Sequence, residues 1–163
     1  MDQAGLLEQL IAFLDDNQIR YCIIDGQAVN AYAEPVVSLD LDLVIAADQL
    51  EQVEALLQGG PFHLKRFAHS LNLSLPDSDL RIQIQTDPRY ASFPERASAQ
   101  NVLGLTLPVA SLPDLLQGKV WAAQDADRRA SKRQKDLADI ARILEAYPDL
   151  RGQVPDEILE RLL

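Results

Sequence analysis

The sequence predicts an α+β fold, a mixed β-sheet with flanking helices followed by a helical tail packed on it, and three observations predict it. Apolar residues at positions 6, 7, 10, 11 and 14 recur at helical spacing. Short segments between 39 and 85 alternate or run apolar as strands do, and from Ser111 onward the periodic segments are helical. A chain of 163 residues, 47% hydrophobic and 25% charged, can bury one sizeable core and is too short for two ordinary domains. It is expected to form a single domain over 1–163, with an α/β core over 1–110 and a helical part over 111–163.

Each element has its own signal. Leu6, Leu7, Leu10, Ile11 and Leu14 make an amphipathic first helix that ends in Asp15-Asp16-Asn17. Tyr21 to Ile24 is an apolar run suited to a buried strand. Gly26 breaks it, and Ala28 to Ala33 suits a short helix that Pro35 must terminate. Leu39, Leu41 and Leu43 alternate with Ser38, Asp40 and Asp42, the period of a strand with two unlike faces. Asp48 is placed to cap a helix over Gln49 to Leu57, which Gly59-Gly60 stops. Strands follow at Phe62 to Ala68, Leu71 to Leu75 and Leu80 to Gln85, the last two joined as a hairpin through Pro76-Asp77-Ser78-Asp79, and Thr106 to Val109 offers one more. The tail divides into helices over Leu112 to Gln124, Ser131 to Tyr147 and Asp156 to Leu163, with Pro148 and Pro155 separating the last two.

Composition excludes several classes. A formal charge of −10 repels nucleic acid over most of the surface, so a polyanionic partner must meet a local basic patch. The single cysteine, Cys22, allows neither an internal disulfide nor a cysteine-rich zinc site, which fits a reducing, cytoplasmic setting. The first residues carry acids where a secretory signal carries bases, and no apolar run approaches the ~18 residues needed to cross a bilayer. No membrane partner is expected, and nothing in the sequence sets the oligomeric state. His63 and His69 lack companions at metal-ligand spacing, Ser70, Ser74 and Ser78 lack a nucleophile-elbow context, and Trp121 and Tyr147 occupy apolar helical positions expected in the core.

The chemistry-bearing feature is Asp40-Leu41-Asp42. Residues two apart on a strand share a face, which brings the two carboxylates within about 7 Å. Like charges at that distance repel, and a hard cation such as Mg²⁺ removes the repulsion while keeping positions for water and phosphate oxygens. The same alternation describes a strand whose polar face only meets water. Leu39, Leu41, Leu43, Val44 and Ile45 instead favour a strand well packed on its other side, where a preorganised ion site can be built. Upstream, Gly26 lies between a buried strand and a helix, where backbone N–H groups can approach a phosphate, although any tight turn would use the same glycine.

The order of these parts resembles the minimal nucleotidyltransferases of the DNA polymerase β-like superfamily, in particular the AbiEii toxin-like branch. That branch runs roughly G-G-x-A, then a small residue, then P-R-x-T-x-D-L-D-L, and the matching positions here are Gly26, Ala28, Ala33, Pro35, Ser38, Asp40 and Asp42. Its lysine-bearing helix is matched by Gly118-Lys119-Val120-Trp121-Ala122, its arginine-rich loop by Asp127-Arg128-Arg129, and its final K-D-x-x-D motif by Lys135-Asp136 through Asp139-Ile140. The resemblance implies transfer of a nucleoside monophosphate from a nucleoside triphosphate to a hydroxyl, with Mg²⁺ held by Asp40 and Asp42. It makes Lys119 and Asp136 further catalytic candidates facing the aspartates across a cleft, and Gly26, Ser38, Arg128, Lys132 and Lys135 candidates for binding the triphosphate. The acceptor, tRNA or another RNA, a protein or a small hydroxyl compound, stays open.

Three positions depart from the pattern. Asp25 replaces the first motif glycine and puts a negative charge where the triphosphate approaches the backbone, and Val36 replaces an arginine. Gln83, in Arg81-Ile82-Gln83-Ile84, stands where a neighbouring strand normally offers a third carboxylate. A neutral amide cannot act as general base, and Asp87 replaces it only if the strand ends early and the loop turns back. A catalytically impaired nucleotide-binding or interaction module of the same fold is therefore the alternative function, and membership of a toxin–antitoxin-type pair, held together through the acidic surface, is a third.

Overall fold

The strand that organises the sheet is Tyr21–Ile24, β1, four residues buried along their whole length. The structure, a computed structural model, describes residues 3–33, 40–76 and 78–162. Before β1 runs helix α1 (Gln3–Asp16), which buries Leu6, Leu7, Leu10 and Leu14 as its periodicity requires. After it, α2 (Asp25–Tyr32) begins immediately, three residues earlier than the apolar pattern from Ala28 indicated. Asp25 makes this possible by taking φ of +64°, a left-handed turn between strand and helix.

The second strand, β2 (Asp40–Ile45), pairs antiparallel with β1 so that Ile24 faces Asp42 and Tyr21 faces Ile45. Ser38 and Leu39 of the expected strand, and Pro35 and Val36 before it, lie outside the described residues. A short 3₁₀ turn (Ala47–Gln49) leads to α3 (Leu50–Gln58), which buries Val53 and Leu57. Asp48 does not cap this helix. Its carboxylate instead accepts from the Arg20 guanidinium at 2.5 and 2.6 Å, because a basic side chain entering β1 lies within reach of it.

Three strands then form a meander: β3 (His63–Arg66), β4 (Ser70–Ser74) and β5 (Arg81–Gln85), with antiparallel pairing throughout and the expected β4–β5 hairpin. β5 lies parallel to β2, with Asp40 beside Arg81 and Asp42 beside Gln83. An edge hairpin completes the sheet. Its second strand, β7 (Leu105–Val109), contains the expected Thr106 to Val109 and pairs parallel with β1, while its first, β6 (Ser98–Val102), is an addition to the expected elements. The seven strands take the order β3-β4-β5-β2-β1-β7-β6, which makes β1 and β2 interior strands.

The tail supplies α4 (Leu112–Gln124), matching its predicted span, then α5 (Ala130–Ala146) and a short α6 (Asp156–Leu159). Ser111 caps α4 by accepting from the Asp114 N–H at 3.3 Å. Between Pro148 and Gln153 the chain forms a 3₁₀ turn, and the last helix is one turn long rather than running to residue 163. Tyr147 is 37% exposed, not core, and its hydroxyl donates to the Tyr32 carbonyl.

The main hydrophobic core is continuous from Leu6 to Ile158 and contains Ile23, Leu41, Leu43, Ile82 and Ile84 together with Val120, Leu137 and Ile140. A second, smaller cluster lies on the other side chains of the central strands: Cys22, Ile24, Val44, Tyr90, Phe93 and Ala110. The alternation of β2 thus splits its residues between the large core and this second cluster, with Asp40 and Asp42 on the second side.

Candidate active site

Side chains of β2 that do not enter the main core open onto a cleft, and the residues lining it come from separate segments between Ile24 and Asp136. β1 and the start of α2 provide Ile24 and Asp25, β2 provides Asp40 and Asp42, and β5 provides Gln83 and Gln85. Opposite stand Leu115, Gly118, Lys119 and Ala122 of α4, Arg128 of the connecting loop, and Lys132, Lys135 and Asp136 of α5. Tyr90 and Phe93, from the segment between β5 and β6, close one side. The cleft holds about 880 Å³ of empty space, counting the open solvent at its mouth.

The two strand aspartates differ in setting. Asp40 is paired with the Arg81 guanidinium, Nε to Oδ1 at 2.7 Å, and its side chain is 41% exposed. Asp42 sits deeper, and its carboxyl is pushed up to about 7, first by burial and then by the neighbouring Asp40 charge, against the pull of Lys135, Arg128 and Lys132. Burial and the like charge together outweigh those three cations. The donors are carboxylate oxygens, and no group of three or more His, Cys, Asp or Glu side chains suited to a metal ion occurs among the described residues. Two carboxylates with room for water and phosphate oxygens fit Mg²⁺ better than a site closed by protein ligands.

On the opposite wall the basic residues fall into two groups. Lys132 and Lys135 are exposed at the mouth and pair with no carboxylate among the described residues. Lys119 is enclosed, with its side chain 4% exposed. Its ammonium donates to Asp25, and to Asp136 Oδ1 at 3.3 Å, and stands 2.8 Å from Asp139 Oδ2 as an ion pair. Arg128 holds the other side of Asp136, Nε to Oδ2 at 2.6 Å, and Arg142 holds Asp139 Oδ1 at 2.8 Å while reaching Asn30 on α2. These pairs hold the Asp139 carboxyl below its ordinary value despite its burial. α2, α4 and α5 are thus joined through one buried cluster of charges.

Of the residues picked out in the sequence, Asp40, Asp42, Lys119, Asp136, Arg128, Lys132 and Lys135 come together on the cleft. Gly26 is buried in the first turn of α2 and does not line it, and Ser38 lies outside the described residues. Asp87 turns away to its own neighbour: it accepts from the Arg89 backbone N–H at 3.0 Å and from the Arg89 guanidinium. The aromatic wall was missed as such. Tyr90 donates to the Gly118 carbonyl at 3.2 Å, and Phe93 stacks on Trp121 with centroids 6.2 Å apart, so Trp121 is a half-buried support and not a core residue. Asp139 was visible only as the last acid of the K-D-x-x-D motif, since nothing local tells that its partner Lys119 sits on α4.

Comparison with known proteins agrees with this fold. The family model described as nucleotidyl transferase AbiEii toxin, type IV toxin–antitoxin system, matches residues 28–162. No curated protein matches the sequence. Among solved structures, ANT(2″)-Ia in complex with adenylyl-2″-tobramycin superposes with a TM-score of 0.67 at 13% identity, covering 99% of each chain. The lincomycin-bound lincosamide antibiotic adenylyltransferase LnuA gives 0.54 at 13% identity, over 84% of this chain and 95% of that one. An antigenic nucleotidyltransferase-like protein from Paracoccidioides brasiliensis gives 0.54 at 22% identity, over 86% and 74%. At these identities the likeness is one of fold.

Proposed function

The chain belongs to the AbiEii nucleotidyl transferase toxin family, and from that premise we propose that it transfers a nucleoside monophosphate from a nucleoside triphosphate to an acceptor hydroxyl, with Mg²⁺ at Asp40 and Asp42. The observation that carries this reading is the division of charge across one cleft, with two carboxylates side by side on β2 and, facing them from α5, Lys132 and Lys135, which pair with no carboxylate among the described residues. Carboxylates alone would repel a triphosphate, and cations alone would bind any phosphate. Together they suit a metal-bound polyphosphate.

Each side chain then has a task. Asp40 and Asp42 hold the ion on a strand made rigid by packing of Leu41 and Leu43 beneath them. Mg²⁺, when bound, neutralises the triphosphate and stabilises charge on the attacking and leaving oxygens. Lys132, Lys135 and Arg128 bind phosphate oxygens from the opposite wall, and Arg128 is itself oriented by Asp136. Tyr90 and Phe93 shield one side of the cleft from water. The acceptor is RNA, protein or a small hydroxyl compound.

Purified protein incubated with each labelled nucleoside triphosphate, Mg²⁺ and a pool of tRNA and protein tests the proposal. Label should move with the wild type and not with Asp40→Ala, and absence of transfer by the wild type, or equal transfer by the variant, overturns it. A second reading, nucleotide binding without turnover, is favoured by Gln83 beside Asp42, which leaves β5 without an acid at that register. Calorimetric binding of ATP with Mg²⁺ in the absence of any transfer would select it.

A further inference from the structure

Lys119 is the most enclosed cation of the cleft and has the most partners. An ammonium has three N–H groups, and here three carboxylates take them up: hydrogen bonds to Asp25 and Asp136, and the ion pair with Asp139. These partners are unequal. Asp136 also has Arg128, and Asp139 also has Arg142, so each keeps a guanidinium if Lys119 turns aside. Their side chains are 1% and 5% exposed, while that of Asp25 is 31% exposed; Asp25 and Asp136 both line the cleft, and of the two only Asp25 is open to solvent.

The backbone at Asp25 adds a second observation. With φ of +64° it occupies the left-handed region, which Asp tolerates better than most side chains but glycine takes at less cost. A carboxylate is therefore held in a conformation made for glycine, at the point where it covers the cleft-facing side of the Lys119 ammonium.

We propose that Asp25 sets the affinity of the cleft for polyphosphate by occupying the one direction in which Lys119 could donate to it. This rests on the nucleotidyl transfer reading above and deepens it. A phosphate oxygen reaches Lys119 only by exchange with Asp25, and the released carboxylate then stands unpaired beside the incoming negative charge. Both effects weaken binding. With Asp25 removed, Asp136 and Asp139 still hold Lys119 in place, and one N–H turns to the cleft.

The experiment is calorimetric titration with inorganic tripolyphosphate in Mg²⁺, a probe that carries no base, on wild type, Asp25→Gly and Asp25→Asn, with thermal melts to check folding. Asp25→Gly should bind about tenfold or more tightly, the worth of one charge-assisted hydrogen bond. Asp25→Asn, which keeps an acceptor but loses the charge, should fall between and serves if the glycine variant does not fold. Unchanged or weaker binding by both variants overturns the inference, and so does absence of binding by every form. Transfer by the wild type together with unchanged affinity in the variants overturns the inference alone. Tighter binding by the variants without transfer in any form overturns only the transfer reading.

Discussion

Asp42 and Gln83 are direct neighbours across the parallel pair β2–β5, so an amide and not an acid completes the polar row beside the half-buried carboxyl. Gln83→Asp should turn this row into a three-carboxylate cluster. In chelator the variant should lose about 1–3 kcal/mol, the repulsion of like charges a few ångströms apart in a partly buried setting. Added Mg²⁺ should then raise its melting temperature more than it raises that of the wild type. Equal metal responses in differential scanning calorimetry would show that Gln83 lies outside the ion's reach.

The raised Asp42 carboxyl makes a pH prediction with a definite sign. Its folded-state value, about 7, lies above the ordinary carboxylate value of the unfolded chain, so between the two the folded protein binds more protons. Metal-free stability should therefore fall as pH rises from about 4 through 7. Asp42→Asn should flatten that slope and melt higher than the wild type at pH 8 in chelator, while losing the stabilisation that Mg²⁺ gives the wild type. Melting curves from pH 5 to 8, with and without metal, check both halves.

Lys119 should matter more for folding than any other cation of the cleft. Lys119→Met leaves Asp25, Asp136 and Asp139 facing one another around a buried gap, at a cost of about 3–5 kcal/mol in urea unfolding. The depressed Asp139 carboxyl acts in the opposite sense to Asp42. Its contribution is present above the unfolded carboxylate value and lost as pH falls below about 4. Asp139→Asn should accordingly be destabilising at neutral pH and remove part of the acid limb of the stability profile.

Lys132 and Lys135 carry no such structural duty. Replacing both by Ala should change stability by less than about 0.5 kcal/mol, as at most exposed positions. The same double variant should weaken tripolyphosphate or nucleotide binding about tenfold at low salt, with the difference shrinking as ionic strength rises. Calorimetry at two salt concentrations separates this from a fold defect.

What could be read in the sequence follows the range of the forces involved. β1 and α4 were legible to the residue because each is set by its own apolar pattern and, for α4, by the Ser111 cap. β6 was not, since Ser98–Val102 is polar, mostly exposed and paired only to β7, leaving no period-2 signal. The aspartate pair was legible because strand geometry alone puts Asp40 and Asp42 on one face. The Lys119 cluster was not, because its members meet only when three helices dock, and Asp25 read as an intruder until its carboxylate was seen on Lys119.

The strand order also bears on how the protein is made. A chain emerging from the ribosome presents β1 and β2 early, yet β2 receives its parallel neighbour β5 only after the whole β3–β4 excursion. The cations that face the aspartates follow later still, on α5. Since a domain folds as a unit, a nascent chain stalled before α5 holds the carboxylates but no opposing wall. Incomplete translation products of this protein thus lack half the site, and the assembled cleft exists only in molecules that have finished their last long helix.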